Sequence, residues 1–261
     1  MSELLSRSPA DQAHGLRRLF PGHPLQHIAL VANPHVAFAG VVLERLTTVL
    51  GALGLSTLVV DAADSSPAPH ELAALDLREC IEPLSAQVSY LAARGLPLRH
   101  VDTHGSSAGF LEQLRAAAPQ ARVLLVHAGA ADLARLYARQ TLRPLLLAAD
   151  HPDSLTQAYA SMKLLVMRRA LMSYDLLLAV PPQNRRVPTI ARRLASCAES
   201  FLGASLRDWV AVDPACDVRD SPSAALCALV AAQLQPDAHE PSVAPGAWRH
   251  GAAAPLALNL N

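Results

Sequence analysis

Residues 28–62, IALVANPHVAFAGVVLERLTTVLGALGLSTLVVDA, constrain this chain more than any other stretch. An apolar run, a short loop, an amphipathic segment of helical period and a second apolar run follow in that order. Apolar strands that run on without alternation belong to a parallel sheet covered on both faces. The unit therefore predicts the opening of an α/β fold of the nucleotide-binding kind. Its loop reads Asn33-Pro34-His35-Val36-Ala37-Phe38-Ala39-Gly40, with no lysine and a single glycine. A loop that cradles phosphate needs glycines so that N–H groups can approach the anion, a lysine for the β/γ-phosphates and a Ser or Thr for Mg²⁺. Here Pro34 removes a donor, and Val36 and Phe38 place bulk where phosphate oxygens would sit. The frame is present without the parts that grip.

Bulk properties narrow the class. A length of 261 residues suits one large α/β domain, or one domain with tails. An apolar fraction of 51% is ample for a core, and a formal net charge of zero argues against a nucleic-acid binder. Cys80, Cys197, Cys216 and Cys227 lie far apart with no CxxC pair, as expected of reduced cytosolic thiols. The first residues, MSELLSRSPADQ, lack the apolar centre of a signal peptide, and no apolar run is long enough to span a bilayer. A cytoplasmic protein is expected. The Ala, Arg, Leu and Pro bias, with one lysine at Lys163, reflects a GC-rich genome.

Three segments are expected. Residues 1–24 carry a short helical arm over 8–20, in which Ser8 caps, Pro9 suits the first turn and Asp11 completes a capping box. Ala13, Leu16, Leu19 and Phe20 form its apolar stripe, and Pro21-Gly22-His23-Pro24 ends it. An arm of about three turns is marginal alone and must dock on something. Residues 25–235 form the domain. Its strands are expected at 28–32, 57–61, 98–103, 123–126, 145–149, 176–180 and 209–212. Helices are expected at 41–53, 70–77, 88–94, 108–117, 131–140, 154–173, 187–203 and 224–234. That alternation predicts a mostly parallel, doubly wound sheet with helices on both faces. Residues 236–261, rich in Pro, Ala and Gly, are expected to form a disordered tail.

Three pieces of sequence resemble one family. Asp11-Gln12-Ala13-His14-Gly15-Leu16-Arg17-Arg18-Leu19 is similar to the DQAxxLR arm of FlhG (FleN), a MinD/ParA-type ATPase that regulates flagellar number and position. Residues 28–62 line up without gaps on that family's deviant P-loop and following LLDAD strand. Residues 145–165, LLLAADHPDSLTQAYASMKLL, are similar to the family's EPTSITDAYALIKLL stretch. The resemblance covers residues 9–235. It implies an arm that stimulates FlhF, a GTPase related to those of the signal recognition particle. Asp11, Gln12, Ala13, Leu16, Arg17 and Leu19 would be the partner-binding residues. A glutamine orients an attacking water and an arginine neutralises phosphoryl charge in such reactions. It also implies contact with a flagellar transcription regulator.

The departures from the family pattern fall on the nucleotide site. The two lysines of KGGVGKT fall on Pro34 and Ala39, and its threonine on Gly40. Of the two aspartates of LLDAD, Asp61 is kept and the other falls on Ala63. The metal-side aspartate of VVDTAAG falls on His127, and the base-reading asparagine on Val180. Asn33, Pro34, Phe38, Ala39, Gly40, Asp61, Ala63 and His127 thus mark a degenerate nucleotide site. Losing these charges together removes the electrostatic basis of phosphoryl transfer. The resemblance so modified implies a pseudo-ATPase without ATP or Mg²⁺ as cofactor and with no catalytic residue of its own.

Other readings compete. An active ATPase with an unusual phosphate loop would use the retained Asp61, whose plainer role is to cap a turn. His100-x-Asp102-x-His104, placed on one face of a strand and joined by His127, would make a zinc-dependent hydrolase. Ser106-Ser107 lacks a nucleophile-elbow pattern and reads as a turn before a helix. Residues 224–234 contain no basic residue, so that helix reads as core packing, and membrane association would be only indirect.

Overall fold

The computed structural model describes residues 25–217 and 219–235. The arm over 8–20 and the tail over 236–261 lie outside the described residues. Eight strands form one sheet: β1 (Gln26–Val31), β2 (Thr57–Asp61), β3 (Glu82–Pro83), β4 (Val88–Ala92), β5 (Val123–Ala128), β6 (Leu145–Ala148), β7 (Ser173–Ala179) and β8 (Ser205–Val212). Their order across the sheet is β3-β4-β2-β5-β1-β6-β7-β8. Neighbours run parallel except β3, which is antiparallel to β4. The helices are α1 (Ala39–Ala52), α2 (Leu96–Arg99), α3 (Ala108–Ala117), α4 (Ala130–Leu136), α5 (Pro152–Arg169), α6 (Val187–Leu202) and α7 (Ala224–Gln233).

The expected doubly wound parallel sheet is therefore present, and the two faces explain the unbroken apolar strands. Successive side chains on a strand point to opposite faces. Ile28 and Leu30 face one core with Leu46, Leu50, Leu226 and Leu229. Ala29 and Val31 face the other, with Phe110, Leu133, Met162, Leu165 and Ile190. So α1 and α7 cover one side, and α2 to α6 pack on the opposite side. α1 stops just before Gly54, whose φ of 71° lets the chain turn left-handed where a Cβ would be strained. Gln26 at the start of β1 donates from Nε2 to the Leu234 carbonyl (2.8 Å), holding the end of α7 to the amino edge of the sheet.

A buried polar lock sits on the same edge. Arg143 Nε lies 2.8 Å from Asp175 Oδ2. Gln233 Nε2 donates to the same oxygen (2.7 Å), and the Asp208 N–H donates to Asp175 Oδ1 (3.2 Å). A buried carboxylate with both oxygens engaged joins β7, β8 and α7.

Three expectations are corrected. Residues 88–94 do not form a helix: Val88–Ala92 is strand β4, paired parallel to β2. The Val-Ser-Tyr-Leu run fits a half-buried pleat, which overrides the weak helical period. Residues 98–103 do not form a strand. The helical turn α2 occupies Leu96–Arg99, and Leu98 and Val101, the apolar residues that suggested a strand, are exposed. The helix expected over 70–77 shrinks to a 3₁₀ turn, Glu71–Ala74, for which the His70 ring accepts the Leu72 N–H.

Candidate functional site

The carboxyl ends of β1, β2 and β5 meet where the strand order reverses, the place where open α/β sheets bind ligands. The β1–α1 loop crosses this point and is tied down by its own polar groups. Asn33 is buried; its Nδ2 donates to the Leu147 carbonyl (2.8 Å), the Ser154 carbonyl (2.9 Å) and Ser154 Oγ (3.1 Å). Its Oδ1 accepts the His35 N–H, and its carbonyl accepts the Val36 N–H. Ser154 Oγ in turn accepts the Ala149 N–H. The side chain of one residue thereby fastens β1 to the β6 end and to the start of α5.

The bulk in this loop is placed differently from the sequence expectation. Val36 is buried against the α1 core, whereas Phe38 is 70% exposed. Phe38 instead sets the backbone: at φ 62° and ψ 34° it occupies the left-handed region and starts α1 with no side-chain cap. Pro34 is exposed, and Ala39 and Gly40 open the helix. Gly40 has open space where a Cβ would project.

Asp61 and His127 are cross-strand partners on β2 and β5. His127 Nδ1 lies 2.9 Å from Asp61 Oδ1, with both side chains nearly enclosed. The other ring nitrogen, Nε2, is buried as well. Among the described residues that buried nitrogen has no hydrogen-bond partner. The Ala63 N–H also reaches Asp61 Oδ1 (3.3 Å), so the turn-capping reading of Asp61 holds in part. Tyr90 completes the group. Its hydroxyl donates to Asp61 Oδ2 (3.3 Å), and burial, followed by the Asp61 charge, pushes the phenol up to about 12. Ala63 is itself buried.

The loop brings no cation, the N–H groups of His35 and Val36 are spent on Asn33, and Asp61 is committed to an imidazole and a phenol. Val180, on which the resemblance lets the base-reading asparagine fall, is buried in the core. Sequence reasoning missed Tyr90, because its segment reads as a helix, and gave no role to Ser154, although it lies within the 145–165 stretch.

The zinc reading fails on geometry. His100, Asp102 and His104 share no strand face. Asp102 Oδ1 accepts the N–H groups of His104 and Ser106 (2.9 Å each), an Asx-type turn that holds its carboxyl below the usual range. His100 stacks on Phe110 at 4.8 Å. Among the described residues no three His, Cys, Asp or Glu side chains cluster as a metal site. Ser106 and Ser107 form the expected turn before α3, with Ser106 Oγ accepting the Ala108 N–H.

Two grooves flank the sheet. One, of about 570 Å³, runs between α1 and the β3–β4 hairpin and opens at Asp61 and Tyr90. The other, of about 730 Å³, lies between α5 and α6, with Tyr159 and Ile190 inside and Arg185, Arg193 and the exposed Phe201 at its rim. α7 buries Leu226, Leu229 and Val230 as core packing. Among the described residues no helix is long and apolar enough to cross a membrane.

No family model matches the chain, and no curated protein does. Solved structures do. The MinD cell division protein of Aquifex aeolicus is 12% identical at a TM-score of 0.53, covering 80% of this chain and 96% of that one. A plasmid partition protein of Borrelia burgdorferi B31, bound to AMPPNP, is 6% identical at a TM-score of 0.56, covering 80% and 98%. A further plasmid partition protein of Borrelia burgdorferi is 8% identical at 0.54, covering 80% and 99%. At these identities the likeness is one of architecture: the chain has the fold of the MinD and ParA-type ATPases.

Proposed function

We propose that this chain is an FlhG-like regulator of flagellar number or placement that works by contact on a MinD/ParA-type scaffold. It neither binds nor hydrolyses ATP, and its arm stimulates an FlhF-type GTPase. The observation that carries the first part is at the carboxyl edge: Asn33 takes up two of the loop's donors, the His35 and Val36 N–H groups, and His127 meets the one retained acidic residue, Asp61. Electrostatic stabilisation of a transferring phosphoryl group requires preorganised positive charge, and the loop over residues 33–40 contains no Lys or Arg. The arm reading is supported by the match over Asp11-Gln12-Ala13 and Leu16-Arg17. A flagellar transcription regulator is a second partner in this reading, with no nucleic acid bound directly.

Calorimetry with ATP and Mg²⁺ tests the first part: no saturable heat is expected, and a saturable one ends the pseudo-ATPase reading and restores the active-ATPase one. A peptide of residues 8–20 tests the second. It is expected to raise GTP turnover by FlhF, with Gln12→Ala or Arg17→Ala weakening the effect. Equal turnover with and without the peptide removes FlhF as the partner.

A further inference from the structure

The groove beside α1 is a corner of the sheet that no helix among the described residues covers. Its α1 wall is Gly40, Glu44, Thr47 and Gly51, small or short residues spaced one turn apart apart from Glu44. Val59 and Tyr90 form the floor, and Leu84, 61% exposed, stands on the hairpin side. The charge on this surface has one sign. Glu44 and Asp61 line it, Glu82 lies near enough to act on Tyr90, and none of the described lining residues is Lys or Arg. Asp61 already has partners, but among the described residues no hydrogen bond or ion pair engages the Glu44 carboxylate.

We infer that this groove is the resting place of the chain's own arm, residues 8–20, with Arg17 facing Glu44. Charge complementarity selects the occupant: on a helix Arg17 flanks the stripe of Leu16, Leu19 and Phe20, a cationic edge beside an apolar face for an acidic and apolar surface. Reach permits it. Gln26, Val123, Thr57 and Val88 form one row across β1, β5, β2 and β4. At a strand spacing of about 4.8 Å, β4 lies about 14 Å from β1. Residues 21–25 span up to about 17 Å when extended. The groove also matches in length: Gly40 to Gly51 extends about 16 Å along α1, against about 20 Å for a helix over 8–20.

Direction then fixes the pairing. The arm must deliver Phe20 to the amino edge, so it lies parallel to α1, with Ser8 toward Asp61. Side chains on a helix lean toward its N-terminus. Arg17, about 4.5 Å above Phe20 along the axis, therefore reaches up toward Glu44, and Leu16, Leu19 and Phe20 meet Leu84 and the sheet floor. An arm held this way withholds Arg17 from any partner. The inference extends the functional reading above by adding its control, but its placement of the arm does not require that the partner be FlhF.

Tryptic cleavage of the Arg18–Leu19 bond in the full-length chain, followed by mass spectrometry, tests the placement. Glu44→Arg is expected to speed cleavage about fivefold, the scale of one ion pair. In an Arg17→Glu background the same Glu44→Arg change is expected to slow cleavage, because the charges match again in reverse. That inversion requires direct contact. Leu84→Ser, which leaves α1 untouched, is expected to speed cleavage about threefold through lost apolar contact, and serves if the charge variants misfold by circular dichroism. Changes of the same sign in both backgrounds, no change at Leu84→Ser, or rates that depend on protein concentration overturn the inference, the last by assigning the groove to a second copy. The peptide assay on FlhF is read separately. Inversion without stimulation keeps the resting place and removes the partner; stimulation without inversion does the reverse.

Discussion

The two ends of this sheet treat a buried carboxylate in opposite ways. At the amino edge, Asp175 is saturated: Arg143 and Gln233 share Oδ2, and a backbone N–H takes Oδ1. At the carboxyl edge, Asp61 meets an imidazole whose other nitrogen is buried without a partner among the described residues. A buried charge with full coordination joins elements, and an incompletely satisfied one costs free energy that the surroundings must supply. The amino edge is built for stability. At the carboxyl edge the polar groups of Asp61, His127 and Tyr90 meet one another.

Breaking each end gives the first tests. Asp175→Ala removes the buried acceptor shared by Arg143, Gln233 and the Asp208 N–H and is expected to cost about 3–5 kcal/mol in urea unfolding, the largest of the effects expected here. A loss under about 1 kcal/mol would show that Arg143 finds water instead. Asp61→Ala is expected to cost about 1–3 kcal/mol, since it orphans His127 Nδ1 as well. Changing the pair together, Asp61→Leu with His127→Leu, is expected to recover most of that loss, because both ends of an imperfect polar contact leave at once. Failure to recover would mean that the idle nitrogen has a partner after all.

Acid separates the edges further. His27, at the amino end of β1, packs edge-on to Tyr137 at 5.6 Å, and burial lowers its pKa below the ordinary 6.5. The unfolded chain then takes up a proton that the folded chain refuses. Stability contributed by His27 is present above 6.5 and is lost as the pH falls from 6.5 toward the depressed folded value. His27→Phe is expected to flatten that part of the urea-midpoint profile, and an unchanged slope would assign the acid sensitivity elsewhere. The smallest effect belongs to the loop. Phe38→Gly relieves a left-handed side chain but loosens the unfolded chain, so the net change is expected to stay within about 1 kcal/mol. A larger loss would give the exposed ring a contact that it lacks among the described residues.

Much of the architecture was legible because burial on both faces leaves unbroken apolar runs. The strand over Thr57–Asp61 reads directly from the sequence with both its ends, as does the place of α1 between two such runs. Misreadings came where exposed apolar residues mimic buried ones: Leu98 and Val101 suggested a strand in what is a helical turn and a loop. At the site, the missing lysine was plain, but the pairing of Asp61 with His127 was not. It depends on β5 lying between β2 and β1, a neighbour relation that no local spacing encodes. The same holds for Asn33, whose partners on Leu147 and Ser154 are more than a hundred residues away.

The bond from Gln26 to the Leu234 carbonyl has a practical consequence. It brings both exits of the domain to a single corner, so a short peptide bridging residues 235 and 25 would close the backbone into a ring without disturbing the sheet. Opened instead at the exposed turn around Asp64 and Ser65, such a circularly permuted chain keeps every strand pairing. In it, the arm could be cut away or moved to a new end at will.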